Sequence, residues 1–335
     1  MKQKNIVFLA YDEVRASFFE GLFHALKEDE TKPDVRCFVQ HLSGRDLKFV
    51  ENKQFVNFET ADFCALNYLG PIDIIILFNG RSIKTAHSTE ILKKRFPDAR
   101  FLYMEQGWLP QKGNVYLAEK GVGVGCKPLT AYSQSEAQAK FLDLLKTPFY
   151  EGVSKLKNPL PEYKYVFFPM QIEADTSIIY DSPVYKRNEQ VMEVLRSFCS
   201  RHGLKLLFRR HPKDYQNMKI AEKDPHVRRA LHQIAEDPMG SYAAMLHAEV
   251  VAGINSTLLI ESLVFNKMTF ALGENMASIY DVYHWHTSYH ETFSELLDAE
   301  SGGKARNKDF AVISLLAYQF SKKEPPLRIV NNIVG

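Results

Sequence analysis

Runs of consecutive apolar residues alternate with stretches in which apolar positions recur every three or four residues. In the first half the runs are Asn5–Ala10 (NIVFLA), Val35–Gln40, Ile72–Phe78 (IDIIILF) and Phe101–Met104. Helical spacing marks Ala16–Lys27, Ile83–Arg95 and Ser133–Leu145. Near-continuous β-branched runs read as strands buried on both faces, and helices between them supply the crossovers of a parallel sheet. After Lys146–Tyr163, a stretch with three prolines and no period that reads as a linker, the rhythm resumes. It predicts strands at Tyr165–Phe168, Leu204–Phe208, Val250–Ile254 and Met268–Leu272. Helices are expected at Asn188–Arg201, Tyr242–His247, Thr257–Val264 and Asp309–Phe320.

The economical architecture is α/β, two doubly wound, Rossmann-like domains facing a cleft. At 335 residues two domains are the ordinary expectation. The predicted division is 1–150 and 151–335, with the closing helix and tail packing back on the first domain.

A net charge of +2 is too small to point to nucleic acid. The four cysteines (Cys37, Cys64, Cys126, Cys199) have no paired spacing, which suggests reduced thiols in the cytoplasm and neither a zinc site nor a disulfide framework. The apolar run at the start is broken by Asp12 and Glu13, too soon for a signal peptide. No run reaches the ~20 residues of a membrane span.

Open α/β sheets bind ligands at the carboxyl ends of their strands, so polar residues there are the candidates. Glu105 ends the strand FLYM and is followed by Gly107-Trp108. Asp175 lies just past YVFFPM in the segment Gln171–Thr176, where capping a helix is the plainer alternative. Arg209-Arg210-His211-Pro212 follows LKLLF, and two guanidiniums beside an imidazole suit a phosphate or carboxylate. Pro212 would hold His211 in one direction. Asn255-Ser256-Thr257 opens the helix LLIESLV and could cap it or bind an anion, and Glu261 on that helix could orient a ribose or favour the helix dipole. Asn79-Gly80-Arg81 puts a guanidinium at a third strand end, to grip a sugar carboxylate or only to cap a turn. Two features are discounted. Gly121–Gly125 neither follows a buried strand nor opens a helix as a nucleotide loop does, and His284, His286 and His290 lack a scaffold to fix a metal.

Taken in order, these segments resemble the capsule polysaccharide biosynthesis family, bacterial Kdo transferases of capsule and lipopolysaccharide assembly. The matching motifs are Gly80-Arg81 after a buried strand, Glu105-Gln106-Gly107-Trp108-Leu109, Gln171 to Asp175, Arg209 to Pro212, and Ser256-Thr257 with Glu261. Gln106 stands where an acidic residue is usual, and Ser82 replaces a second arginine.

The resemblance implies a GT-B-like fold, CMP-β-Kdo as donor, and transfer with retention by double displacement. It assigns Asp175 as nucleophile, Glu105 as base for the acceptor hydroxyl, and His211 as the group that meets the departing phosphate. Gln171, Arg209, Arg210, Pro212, Asn255, Ser256, Thr257, Glu261, Arg81 and Gly107 would bind substrate. No metal or other cofactor is expected, since one leaving phosphate can be neutralised by cations and a helix N-terminus. Partners would be the CMP-sugar donor, a glycan or lipid-linked acceptor and other polysaccharide assembly enzymes. Location would be cytoplasmic, at the inner face of the inner membrane if the acceptor is a lipid. Two other readings share the motifs: an inverting CMP-sugar transferase of sialyltransferase type, and a non-catalytic export or assembly factor.

Overall fold

The computed structural model describes residues 4–10, 13–27, 35–41, 71–82, 85–111, 113–154, 163–211, 240–277, 284–285 and 308–334. Among them are eleven strands. In chain order these are β1 (Lys4–Ala10), β2 (Val35–His41), β3 (Ile74–Phe78), β4 (Arg100–Gln106), β5 (Asn114–Ala118), β6 (Tyr165–Pro169), β7 (Lys205–Arg209), β8 (Val250–Gly253), β9 (Met268–Ala271), β10 (His284–Trp285) and β11 (Gln319–Ser321). The chain divides into two compact units, Met1–Glu136 with Leu316–Gly335, and Ala137–Leu315.

The first unit is built on a six-stranded sheet of order β11-β5-β4-β3-β1-β2. The pairs β2–β1, β1–β3 and β3–β4 are parallel, whereas β4–β5 and β5–β11 are antiparallel. The expectation of a purely parallel sheet is therefore corrected to a mixed one. The apolar positions of β5 (NVYLA) sit in a glycine-rich stretch that hides their strand period, and a short hairpin after β4 needs no crossover helix.

β3 is buried at every position, as a β-branched run covered on both faces must be. Against the sheet packs an aromatic cluster, with Phe8–Phe19 and Phe18–Phe78 ring centroids each 5.2 Å apart. The predicted helix over Ala16–Lys27 is a 3₁₀ turn, Ser17–Phe19, leading into a helix at Glu20–Lys27.

The tail completes this core. The predicted helix Asp309–Phe320 is instead a helix at Lys308–Leu316 followed by β11 and a last helix, Leu327–Val334. Phe320, Ile329, Val330 and Ile333 are all buried in the core of the first unit. Each such side chain contributes roughly 1.5–3 kcal/mol relative to exposure, so the tail is an integral layer of the unit.

The second unit carries a parallel sheet, β10-β9-β8-β6-β7. Its best-patterned helix, Asn188–Arg201, buries Val191, Met192, Leu195, Phe198 and Cys199, a stripe with helical spacing. Phe198 meets Phe270 of β9 with centroids 6.2 Å apart. Part of the expected linker is also ordered, because Pro148–Ser154 is helical and Tyr150 is buried. Proline at the first helical position costs no hydrogen bond, so Pro148 starts this helix rather than breaking a segment.

Candidate active site

In the first unit the site grows from the neighbouring ends of β3 and β4. Asn79, the first residue past β3, adopts φ 66°. Its Oδ1 accepts from the backbone N–H groups of Arg81 (2.9 Å) and Ser82 (2.8 Å), which fixes the turn. Its Nδ2 donates to Glu105 Oε2 at 2.6 Å. The other carboxylate oxygen, Oε1, accepts from the backbone N–H of Gln106 at 2.9 Å. Glu105 is thus a half-buried carboxylate steered by the turn on the adjacent strand. Gly80 takes φ 74°, and a Cβ there would lie 2.6 Å from the Tyr103 ring, so only glycine fits between turn and sheet.

Arg81 Nη1 donates to the Val122 carbonyl at 2.5 Å, and the backbone N–H of Gly123 donates to the Tyr116 hydroxyl at 3.2 Å. The glycine-rich segment is therefore a strap tied to Arg81 and Tyr116. Tyr116 pairs with Glu105 across β4 and β5, and Trp108 stacks on it at 4.5 Å and 22°. Gly107 allows a close approach here, since a Cβ would lie 2.9 Å from Gln319 Oε1 and 3.0 Å from Asn114 Cβ. That same Gln319 oxygen accepts from the backbone N–H groups of Trp108 (2.8 Å) and Leu109 (3.0 Å), and its Nε2 donates to the Leu109 carbonyl.

In the second unit the candidates cluster at the carboxyl ends of β6, β7 and β8. Asp175 is exposed and caps the helix Thr176–Asp181, with Oδ1 accepting from the Ser177 backbone N–H (2.9 Å) and Oγ (2.8 Å). The capping alternative is thus what the local geometry contains. Among the described residues Oδ2 takes no hydrogen bond, so the cap fixes the carboxylate and leaves one oxygen outward.

Gln171 and Asn255 lock together. Gln171 Nε2 donates to Asn255 Oδ1, and the Asn255 backbone N–H donates to Gln171 Oε1, both at 2.9 Å. Asn255 Nδ2 then reaches the Ser177 carbonyl at 2.8 Å. One amide chain therefore ties the end of β6, the end of β8 and the residue that orients Asp175. Asn188 extends it by accepting from the Gln171 backbone N–H at 3.1 Å and returning a bond to its carbonyl at 2.8 Å.

Ser256 caps the helix Thr257–Val264, its Oγ accepting from the Leu258 backbone N–H at 3.3 Å, and Thr257 is the first helical residue. Arg209 Nη1 donates to Ser241 Oγ. Arg210 and His211 follow β7, half-buried, and Pro212 lies outside the described residues. Glu261 is only 6% exposed and shares a hydrogen bond with Tyr242. Burial pushes its carboxyl up to about 7, a shift the Tyr242 hydroxyl partly opposes. Burial, followed by the charge of Glu261, also raises Tyr150 above the ordinary phenol range.

The predicted site residues thus fall into two sets, Arg81, Glu105 and Gly107 in the first unit and the remainder in the second. Sequence reasoning passed over Asn79 as a partner of Glu105, and also Asn188, Ser241, Tyr242 and Gln319. An asparagine directly after a buried strand was a readable signal for Asn79, whereas Gln319 lies over 200 residues from its partners. Among the described residues no group of His, Cys, Asp and Glu could hold a metal ion. Of the three discounted histidines, His286 and His290 lie outside the described residues. No described helix is long and apolar enough to cross a membrane.

These are two Rossmann-like units of GT-B type with polar residues at their strand ends. KpsC of Thermosulfurimonas dismutans has the same fold. Its structure described as a β-Kdo 2,4 transferase is 11% identical, with 98% of each chain covered and a TM-score of 0.58. That described as a β-Kdo 2,7 transferase is 14% identical, with 98% of this chain and 99% of that chain covered and a TM-score of 0.53. None of the curated proteins matches the chain. Residues 151–285 match the model of the family described as capsule polysaccharide biosynthesis protein.

Proposed function

We propose that the chain is a retaining glycosyltransferase that moves Kdo from CMP-β-Kdo to a glycan or lipid-linked acceptor. Asp175 carries the reading: an exposed carboxylate, held by Ser177 at one oxygen and open at the other, inside the segment matched by the capsule family. The KpsC likeness supports the choice of Kdo as the sugar.

The reacting carbon of Kdo bears a carboxylate and no neighbouring hydroxyl, so departure of CMP leaves an oxocarbenium-like centre. Asp175 attacks that carbon, the bond to the CMP phosphate breaks, and a covalent Kdo ester forms on the enzyme. His211 meets the leaving phosphate, while Arg209, Arg210 and the helix N-terminus at Ser256-Thr257 neutralise its charge. In the second displacement Glu105 takes the proton from the acceptor hydroxyl, which attacks the same carbon and frees Asp175. Two inversions give net retention. No metal is required by this scheme, and turnover should persist in EDTA.

Incubation of the protein with CMP-Kdo alone should give an Asp175 peptide carrying the mass of one Kdo, and Asp175→Ala should give none. An inverted product anomer by NMR, with no adduct, would replace this scheme with the single-displacement one.

A further inference from the structure

We infer that Gln319, contributed by the C-terminal strand β11, is a positioning residue for Glu105. The inference rests on the base role given to Glu105 above.

Glu105 is separated by only two residues from Trp108, where the chain leaves β4 in a tight turn. Three bonds from the Gln319 amide hold that turn: two backbone N–H groups enter one oxygen, and the Leu109 carbonyl takes the amide N–H. Gln319 is 4% exposed, so all three bonds form away from water. The turn is pinned again where Gly107 N–H donates to the Asn114 carbonyl at 2.8 Å and Asn114 Nδ2 donates to the Pro110 carbonyl at 2.9 Å. β11 itself is anchored, since it pairs with β5 from Gln319↔Tyr116 to Ser321↔Asn114, and Phe320 is buried in the core.

The bonded path from Glu105 to the tail is therefore short and rigid, and it also fixes the Trp108–Tyr116 stack beside the carboxylate. A base must sit within hydrogen-bond reach of the proton it removes, and misplacement by ~1 Å can cost on the order of 100-fold in rate.

The role predicts a split between the two half-reactions. Forming the Asp175 ester does not use Glu105, whereas discharging it to the acceptor does. In a Trp285→Phe background, Trp108 is the only tryptophan left of two and reports directly on the turn. Gln319→Leu, which removes all three bonds, should raise acrylamide quenching of Trp108 and slow discharge to the acceptor roughly 10- to 100-fold. Ester formation from CMP-Kdo should keep its wild-type rate. Gln319→Glu keeps the acceptor for Trp108 and Leu109 but loses the donor, so it should fall between the two. It also serves as the test if the leucine variant fails to fold. Unchanged discharge, or equal slowing of both steps, would overturn the positioning role. A wild-type protein that forms no ester refutes the reaction scheme, and unchanged Trp108 quenching in the variants would then still refute the hold on the turn.

Discussion

Glu261 gives the most quantitative test of the second unit. Its carboxyl moves from 4.5 to about 7 on folding, chiefly through burial. Each tenfold step in proton affinity is worth about 1.4 kcal/mol, so the protonated form is favoured in the native state by roughly 3 kcal/mol. The folded-state value is raised, so this stabilisation is whole below about pH 4.5 and drains away as pH climbs through about 7. Glu261→Gln replaces the acid with a neutral group of similar shape that can still accept from Tyr242. Urea unfolding of both proteins between pH 4.5 and 8, followed by circular dichroism, isolates the effect because other titrating groups cancel in the difference. The variant should gain about 3 kcal/mol on the wild type across that range. Any constant offset reflects the amide's own packing, so the slope is diagnostic. Parallel curves would falsify the claim that Glu261, on the helix Thr257–Val264, is a buried carboxyl that holds its proton more tightly in the native state.

Other expectations follow from the same contacts. Asp175→Asn retains an acceptor for Ser177 and should keep normal stability, whereas Asp175→Ala should lose about 1 kcal/mol from the helix cap; both should abolish the Kdo ester, seen by mass spectrometry. Gln171→Leu leaves the Asn255 N–H and Oδ1 buried without their partner, which should cost roughly 2–4 kcal/mol in chemical unfolding of the second unit. Gly80→Ala forces a Cβ into a left-handed backbone against Tyr103 and should cost at least about 1–2 kcal/mol, with discharge to the acceptor slowed because Asn79 steers Glu105.

What could be read from the chain was whatever is local. The uninterrupted β-branched run of β3 announced a strand covered on both faces, and Asn188–Arg201 showed its buried stripe by spacing alone. Strand-end carboxylates and the Ser256 cap were legible for the same reason, since a side chain just past a strand has few places to go. β11 escaped because it gains its identity from pairing with β5 some 200 residues earlier, and β5 because five residues in a glycine-rich stretch carry too little period to declare its hairpin with β4. Arg81 is instructive in another way. Its position matched a sugar-binding cation, yet the bond it makes to the Val122 carbonyl becomes visible only when the glycine-rich segment folds back. Sequence position picks out which groups stand at strand ends, and long-range hydrogen bonds decide what each of them is attached to.

The first unit is assembled from two pieces of chain, with all of the second unit encoded between them. On a ribosome, β4 and Glu105 emerge long before Gln319. Until some 210 further residues have been made, the turn after the carboxylate lacks its amide bracket and β5 lacks its edge partner. The second unit runs to Leu315, so its last helix is made only just before Gln319. Synthesis of the tail is therefore the event that finishes both units together, and a chain cut short of Gln319 would keep Glu105 but lose the bracket on the turn behind it.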